Sequence, residues 1–123
     1  MAFSSHFQGP SGLGVSFATL KLQPQGAIRL IVSLRDSIPL HLHSRASETN
    51  FMLLGQLKVG FGNITNSFYS GLLSRKDIFV FPESVEHYYA NLSSSTAVQA
   101  VATFGSSEPD CTRLLANLVG FAI

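Results

Sequence analysis

The sequence predicts an all-β domain, a sandwich or a barrel. Three observations lead there. Short segments of alternating apolar and polar residues recur at steady spacing. Clusters of Gly, Pro, Asn, Asp and Ser separate them. Only after Pro109 does the pattern become compatible with a helix.

The elements follow in chain order. Residues 1–10 read as a flexible lead-in that ends in Gly9-Pro10, and residues 11–123 as one domain. Val15 to Leu22 alternates and reads as a strand, with Gln23-Pro24-Gln25-Gly26 as its turn. Ala27 to Leu34, rich in Ile, Leu and Val, reads as a second strand, closed by Arg35-Asp36-Ser37. Strands are then expected over Pro39–His43, Thr49–Leu54 and Gln56–Phe61, with Gly55 marking a tight turn. Further strands are expected over Ser67–Leu73, Ile78–Phe81, Val85–Ala90 and Thr96–Phe104. Their turns are Gly62 to Asn66, Ser74 to Asp77, the stop at Pro82, and Asn91 to Ser95. Asp110 is placed to cap a short C-terminal helix with Leu114, Leu115 and Leu118 on one face.

Composition bounds the function. The 123 residues suffice for one core and not for two. Hydrophobic residues make up 46% of the chain, ten of them Phe, while charged residues make up 12%, about half the usual share. So few charges point to apolar surface covered by a partner, hence a homo-oligomer. A net charge of +1 with no basic run gives no reason to expect nucleic acid. Cys111 is the only cysteine, which excludes an internal disulfide and a Cys-based zinc site; it reads as a buried or helix-face thiol without a role. The opening residues lack the basic and apolar regions of a secretory signal, and no apolar run has the length of a membrane span.

The chemistry concentrates at His41-Leu42-His43-Ser44-Arg45-Ala46-Ser47-Glu48. On a strand, residues i and i+2 share a face, so His41 and His43 aim side by side. A turn over Ser44 to Ser47 would bring Glu48 to the same point from the next strand. His87 is the fourth candidate, because alternation puts Val85, His87 and Tyr89 on one face and Glu86 and Tyr88 on the other. Three imidazoles and a carboxylate leave open positions on a six-coordinate ion. That donor mix suits Mn²⁺ or Fe²⁺, with zinc still open, and open positions are what water, oxygen or a bidentate acid requires. Tyr88, Tyr89 and the Phe residues read as core or interface. Asn63-Ile64-Thr65 and Asn91-Leu92-Ser93 are glycosylation sequons that matter only on a secretory route.

These residues resemble a known family. The spacing His41-x-His43-x4-Glu48-x6-Gly55 is similar to the first cupin motif, and Pro82-x4-His87-x3-Asn91 to the second. The fuller resemblance is to plant germins and germin-like proteins. It is carried by Gly12-Leu13-Gly14-Val15-Ser16-Phe17-Ala18, Ser44 to Glu48, Val59-Gly60-Phe61, Asp77 to Pro82 and Phe104-Gly105-Ser106-Ser107. It implies a jelly-roll barrel, manganese held by His41, His43, Glu48 and His87, a hexamer, and secretion to the apoplast. The activities it implies are superoxide dismutase-type or oxalate oxidase-type, on oxygen species or a small carboxylate. The alternative is a non-enzymatic cupin that serves in storage, as a receptor-like protein or in the cell wall.

The chain departs from the family pattern in places. Arg35, Lys76 and Ser84 stand where the family has glycine, and Ile38 where germins have an asparagine near the substrate. Residues 27–36 read as an insertion. The germin cysteine pair and helical C-terminal extension have no counterpart here, so the chain reads as a truncated or diverged member.

Overall fold

The computed structural model describes residues 12–24, 37–62, 65 and 67–114. Nine strands run in chain order: β1 (Ser16–Leu22), β2 (Ser37–Leu42), β3 (Glu48–Leu54), β4 (Leu57–Gly62), β5 (Phe68–Leu73), β6 (Ile78–Phe81), β7 (His87–Ala90), β8 (Val98–Phe104) and β9 (Thr112–Arg113). They form two antiparallel sheets, a four-stranded one in the order β1-β8-β3-β6 and a five-stranded one in the order β5-β4-β7-β2-β9. Strands distant in the chain lie side by side, an arrangement consistent with a jelly roll. The all-β expectation holds, and among the described residues no helix is long and apolar enough to cross a membrane.

Alternation builds the core. In β1 every second residue from Ser16 to Leu22 is buried, and β8 buries Val98, Ala100, Ala102 and Phe104 on the same rhythm. The main apolar cluster joins Leu20, Leu22, Met52, Leu57, Val59, Leu73, Phe81, Tyr89, Val98 and Ala100 across the two sheets. A smaller one joins Ala18, Ala46, Ala102 and Phe104.

The three strands that carry site residues all start elsewhere than expected, β3 by a single residue, at Glu48. β2 begins at Ser37, ahead of Pro39, and its pairing with β7 shifts register between Ile38 and His41. A proline inside a strand is tolerated at such an irregularity, where no ladder N–H is needed. β7 begins at His87 because Pro82 to Val85 form a turn closed by the Val85 amide on the Pro82 carbonyl, 3.1 Å.

The expected C-terminal helix is corrected at its start. Asp110 has φ 62°, a left-handed conformation that a helix N-cap does not adopt, and the next residues pair with β2 as β9. Leu115 and Leu118 lie outside the described residues, as do the strand expected over Ala27–Leu34, the 1–10 lead-in, Arg35 and Asn63. Cys111 is exposed, contrary to the buried or helix-face reading, because it sits on the approach to β9 and not on a helix.

Gly55 turns the chain from β3 to β4 at φ 78°, and a Cβ there would lie 2.5 Å from the Ala97 carbonyl oxygen. The sequon at Asn91 is not available for sugar in this fold. Asn91 is fully buried, and its amide donates to the Gln23 and Thr96 carbonyls at 3.0 and 2.9 Å.

Candidate metal centre

The four candidate residues come together from both sheets. His41 lies on β2, directly opposite His87 on β7. His43 follows the end of β2, and Glu48 opens β3 in the other sheet after a turn at Ser44 and Arg45. One ligand atom from each of His41, His43, Glu48 and His87 lies within 4.8 Å of the others, and all four side chains are buried.

Hydrogen bonds to backbone carbonyls orient the imidazoles. His41 Nδ1–H donates to the Pro39 carbonyl and His87 Nδ1–H to the Val85 carbonyl, each at 2.8 Å. His43 Nδ1–H donates to the Asp110 carbonyl. With Nδ1 engaged, each ring turns Nε2 inward, the arrangement by which outer groups orient metal-binding histidines. His43 and His87 Nε2 lie 3.1 and 3.0 Å from the same carboxylate oxygen, Glu48 Oε2. His41 Nε2 is buried with no hydrogen-bond partner among the described residues. A buried lone pair of this kind calls for a donor or a cation.

Aromatic rings wall the cluster. Phe81 stacks on His87 with centroids 4.2 Å apart and planes 8° from parallel, and Phe104 meets His43 edge-on at 4.8 Å. Phe81 belongs to the main apolar cluster and Phe104 to the smaller one, so the polar site sits where the two meet.

The electrostatics follow from this packing. Burial, then repulsion from His87, lowers the His41 pKa from 6.5 to about 4. Burial works against a charge on His43, but its hydrogen bonds to Glu48 and the Asp110 carbonyl win and raise its pKa. Burial also works against ionised Glu48, yet bonds from His43, His87 and Tyr89 hold its carboxyl well below the usual carboxylate range. The site is therefore a buried carboxylate facing three inward Nε2 atoms, a donor set that a divalent cation satisfies once those nitrogens are deprotonated.

Two residues of this site were not singled out from the sequence for it. Tyr89 Oη–H donates to Glu48 Oε1 at 2.7 Å, and Asn50 Nδ2 donates to the same oxygen at 3.1 Å. The available signal was position. Asn50 is two residues after Glu48 and Tyr89 two after His87, each on the inward face of its strand. As expected from alternation, Glu86 is exposed and Tyr88 is half-buried on the opposite face from His87.

A two-sheet β-fold with three histidines and a glutamate converging in its interior defines a class of metal-site barrel. Residues 1–122 match the Cupin family model, and the chain belongs to the cupin family. Within it the chain is germin-like. It is 38% identical over 108 residues to germin-like protein subfamily 3 member 1 of Arabidopsis thaliana, covering 88% of this chain and 47% of that protein. It is 34% identical over 108 residues to auxin-binding protein ABP19b of Prunus persica, covering 88% and 46%. The chain thus spans about half the length of the curated relatives it matches. Among solved structures, an oxalate oxidase in complex with the substrate analogue glycolate superposes with a TM-score of 0.81 at 26% identity, covering 96% of this chain and 55% of that one.

Proposed function

We propose that this chain is the manganese-binding barrel of a germin-like cupin, with His41, His43, Glu48 and His87 as the ligands and a redox activity on small oxygen species. The observation that carries this reading is the buried convergence of the four side chains within 4.8 Å. Manganese, when bound, would supply a one-electron couple and open coordination positions. The protein's part is orientation and exclusion. The three carbonyl-anchored imidazoles present Nε2, Glu48 supplies the negative charge, and Phe81 and Phe104 keep bulk water from the cluster's flanks. Iron and zinc, which the same donors also accept, rank behind manganese by family resemblance.

Residues 11–123 are proposed as the cupin domain, in a homo-oligomer of the hexameric kind found in the family and in the apoplast. A small carboxylate is the other substrate class, by likeness to the oxalate oxidase bound to glycolate.

The test is elemental analysis with electron paramagnetic resonance of the purified protein beside His87→Ala. Near-stoichiometric manganese in the wild type and its loss in the variant are expected. Equal and negligible manganese in both overturns the reading.

A second reading is favoured by Ile38, which packs against the main core beside its register partner Tyr89. A hydrocarbon there cannot hydrogen-bond a carboxylate substrate, so a cupin that binds metal without turnover is the alternative. Retained manganese with no superoxide- or oxalate-dependent turnover would favour it.

A further inference from the structure

We propose that Tyr89 and Asn50 are positioning residues that restrict Glu48 to binding the metal through one oxygen, Oε2. This rests on the metal-centre reading above.

The geometry divides the carboxylate in two. Oε1 accepts from Tyr89 Oη–H at 2.7 Å and from Asn50 Nδ2 at 3.1 Å. Asn50 Nδ2 also donates to Tyr89 Oη at 2.9 Å, so the three side chains close a ring of hydrogen bonds. The amide orientation is set by chemistry, since the opposite orientation would point an amide oxygen at a carboxylate oxygen. Oε2 alone faces the imidazoles, 3.0 Å from His87 Nε2 and 3.1 Å from His43 Nε2.

The ring is rigid and dry. Asn50 is fully buried and Tyr89 2% exposed. The Tyr89 ring packs between Phe81 and His41, at centroid distances of 5.6 and 5.9 Å. Strand alternation puts it there: β3 carries Glu48 and Asn50, and β7 carries His87 and Tyr89, each pair two residues apart on one face. Binding through both oxygens would draw Oε1 away from two buried donors, leaving Tyr89 Oη–H without an acceptor and Asn50 Nδ2 with Tyr89 Oη alone. Leaving a buried donor unsatisfied is costly, and this disfavours the two-oxygen mode. A one-oxygen glutamate keeps one more coordination position open on a six-coordinate ion.

The experiment is manganese titration by calorimetry with paramagnetic resonance of the loaded protein, on the wild type, Tyr89→Phe and Asn50→Leu, with Tyr88→Phe as control. Tyr89→Phe should bind manganese about 10- to 100-fold more weakly, with a changed line shape that reports altered carboxylate coordination. Asn50→Leu should do the same to a smaller extent, and Tyr88→Phe should match the wild type. Wild-type affinity and line shape in both test variants overturn the proposal, and so does weaker binding with an unchanged line shape, which marks a merely structural role. If Tyr89→Phe does not fold by circular dichroism, Asn50→Leu decides by the same criteria. A wild type that takes up no manganese overturns the metal-centre reading itself, a result distinct from a metal-loaded wild type with unaffected variants.

Discussion

His41 sets the pH response of the metal-free protein between pH 4 and 6.5. Its pKa falls from 6.5 to about 4 on folding, so the unfolded chain binds more protons than the folded one between those values. Stability contributed by neutral His41 is therefore complete above pH 6.5 and is lost as pH falls toward 4, about 3 kcal/mol in all. Glu48 has the same sign further down. Its depressed carboxyl contributes stability above the ordinary value of 4.5, and this is lost as pH falls toward its folded value. His43 has the opposite sign, because its pKa is raised; its contribution is present below 6.5 and is lost as pH rises through the folded value. A melting series on chelator-treated protein from pH 4 to 8 should peak near pH 6.5 and fall steeply on the acid side. A melting temperature that stays flat from pH 6.5 to 4 would contradict neutral burial of His41. At this scale the convergence of the four candidate residues was legible because strand alternation and fixed spacing carry it. Asn50 and Tyr89 were not, since an inward Asn or Tyr reads as core until the strands are paired: Tyr89 meets Glu48 41 residues away, and Asn50, on the same strand as Glu48, meets Tyr89 39 residues away.

At the scale of elements, alternation and turn chemistry located β1 to β8, while their ends depended on contacts between strands. The Pro39 irregularity and the Pro82 turn moved two starts. The helix reading failed at Asp110 because pairing with β2 outweighs a local capping pattern. The turns also explain the missing glycines. Lys76 at φ 75° and Ser84 at φ 62° keep the left-handed backbone for which the family uses glycine. Both turns are tied into the fold. The Lys76 amide donates to the Met52 carbonyl and the Ser84 amide to the His43 carbonyl, each at 2.9 Å. Asp110 is also left-handed, but its Oδ1 accepts from the Cys111 amide and its Oδ2 from Ser44 Oγ, so the strain is offset locally. Lys76→Gly and Ser84→Gly should each stabilise the protein by about 0.5–1 kcal/mol, the relief of a left-handed side chain less the entropy that glycine adds to the unfolded chain. Denaturant unfolding at fixed metal content measures this. A lower midpoint in both variants would show that the turns are not strained.

At the scale of the whole molecule, the low charge of the chain reappears as one apolar sheet face. Across the four-stranded sheet the outward residues line up by register. Thr19, Val101, Phe51 and Ile78 form one row, and Phe17, Thr103, Thr49 and Val80 the next. Phe17, Phe51, Leu53, Ile78 and Val80 are exposed, and Lys21 is the only charged side chain among the outward positions of these four strands. A contiguous apolar face of this kind is what protein interfaces cover. This is the spatial form of the oligomer proposed from composition, and it lies on the opposite side of the sheet from the buried Glu48 and Asn50. Association through it should therefore be separable from metal binding. Sedimentation velocity of the wild type should show a species heavier than the 13.3 kDa chain. The double substitution Ile78→Lys with Val80→Lys should shift that species toward monomer, since two buried ammonium groups on adjacent rows cost more than their apolar contacts return. Manganese content should stay at the wild-type level, because both side chains point away from the cluster. A wild type that sediments as a monomer would remove this face as the site of association. A variant that stays assembled would move the contact elsewhere, to the exposed Phe68, Tyr69 and Leu72 of β5.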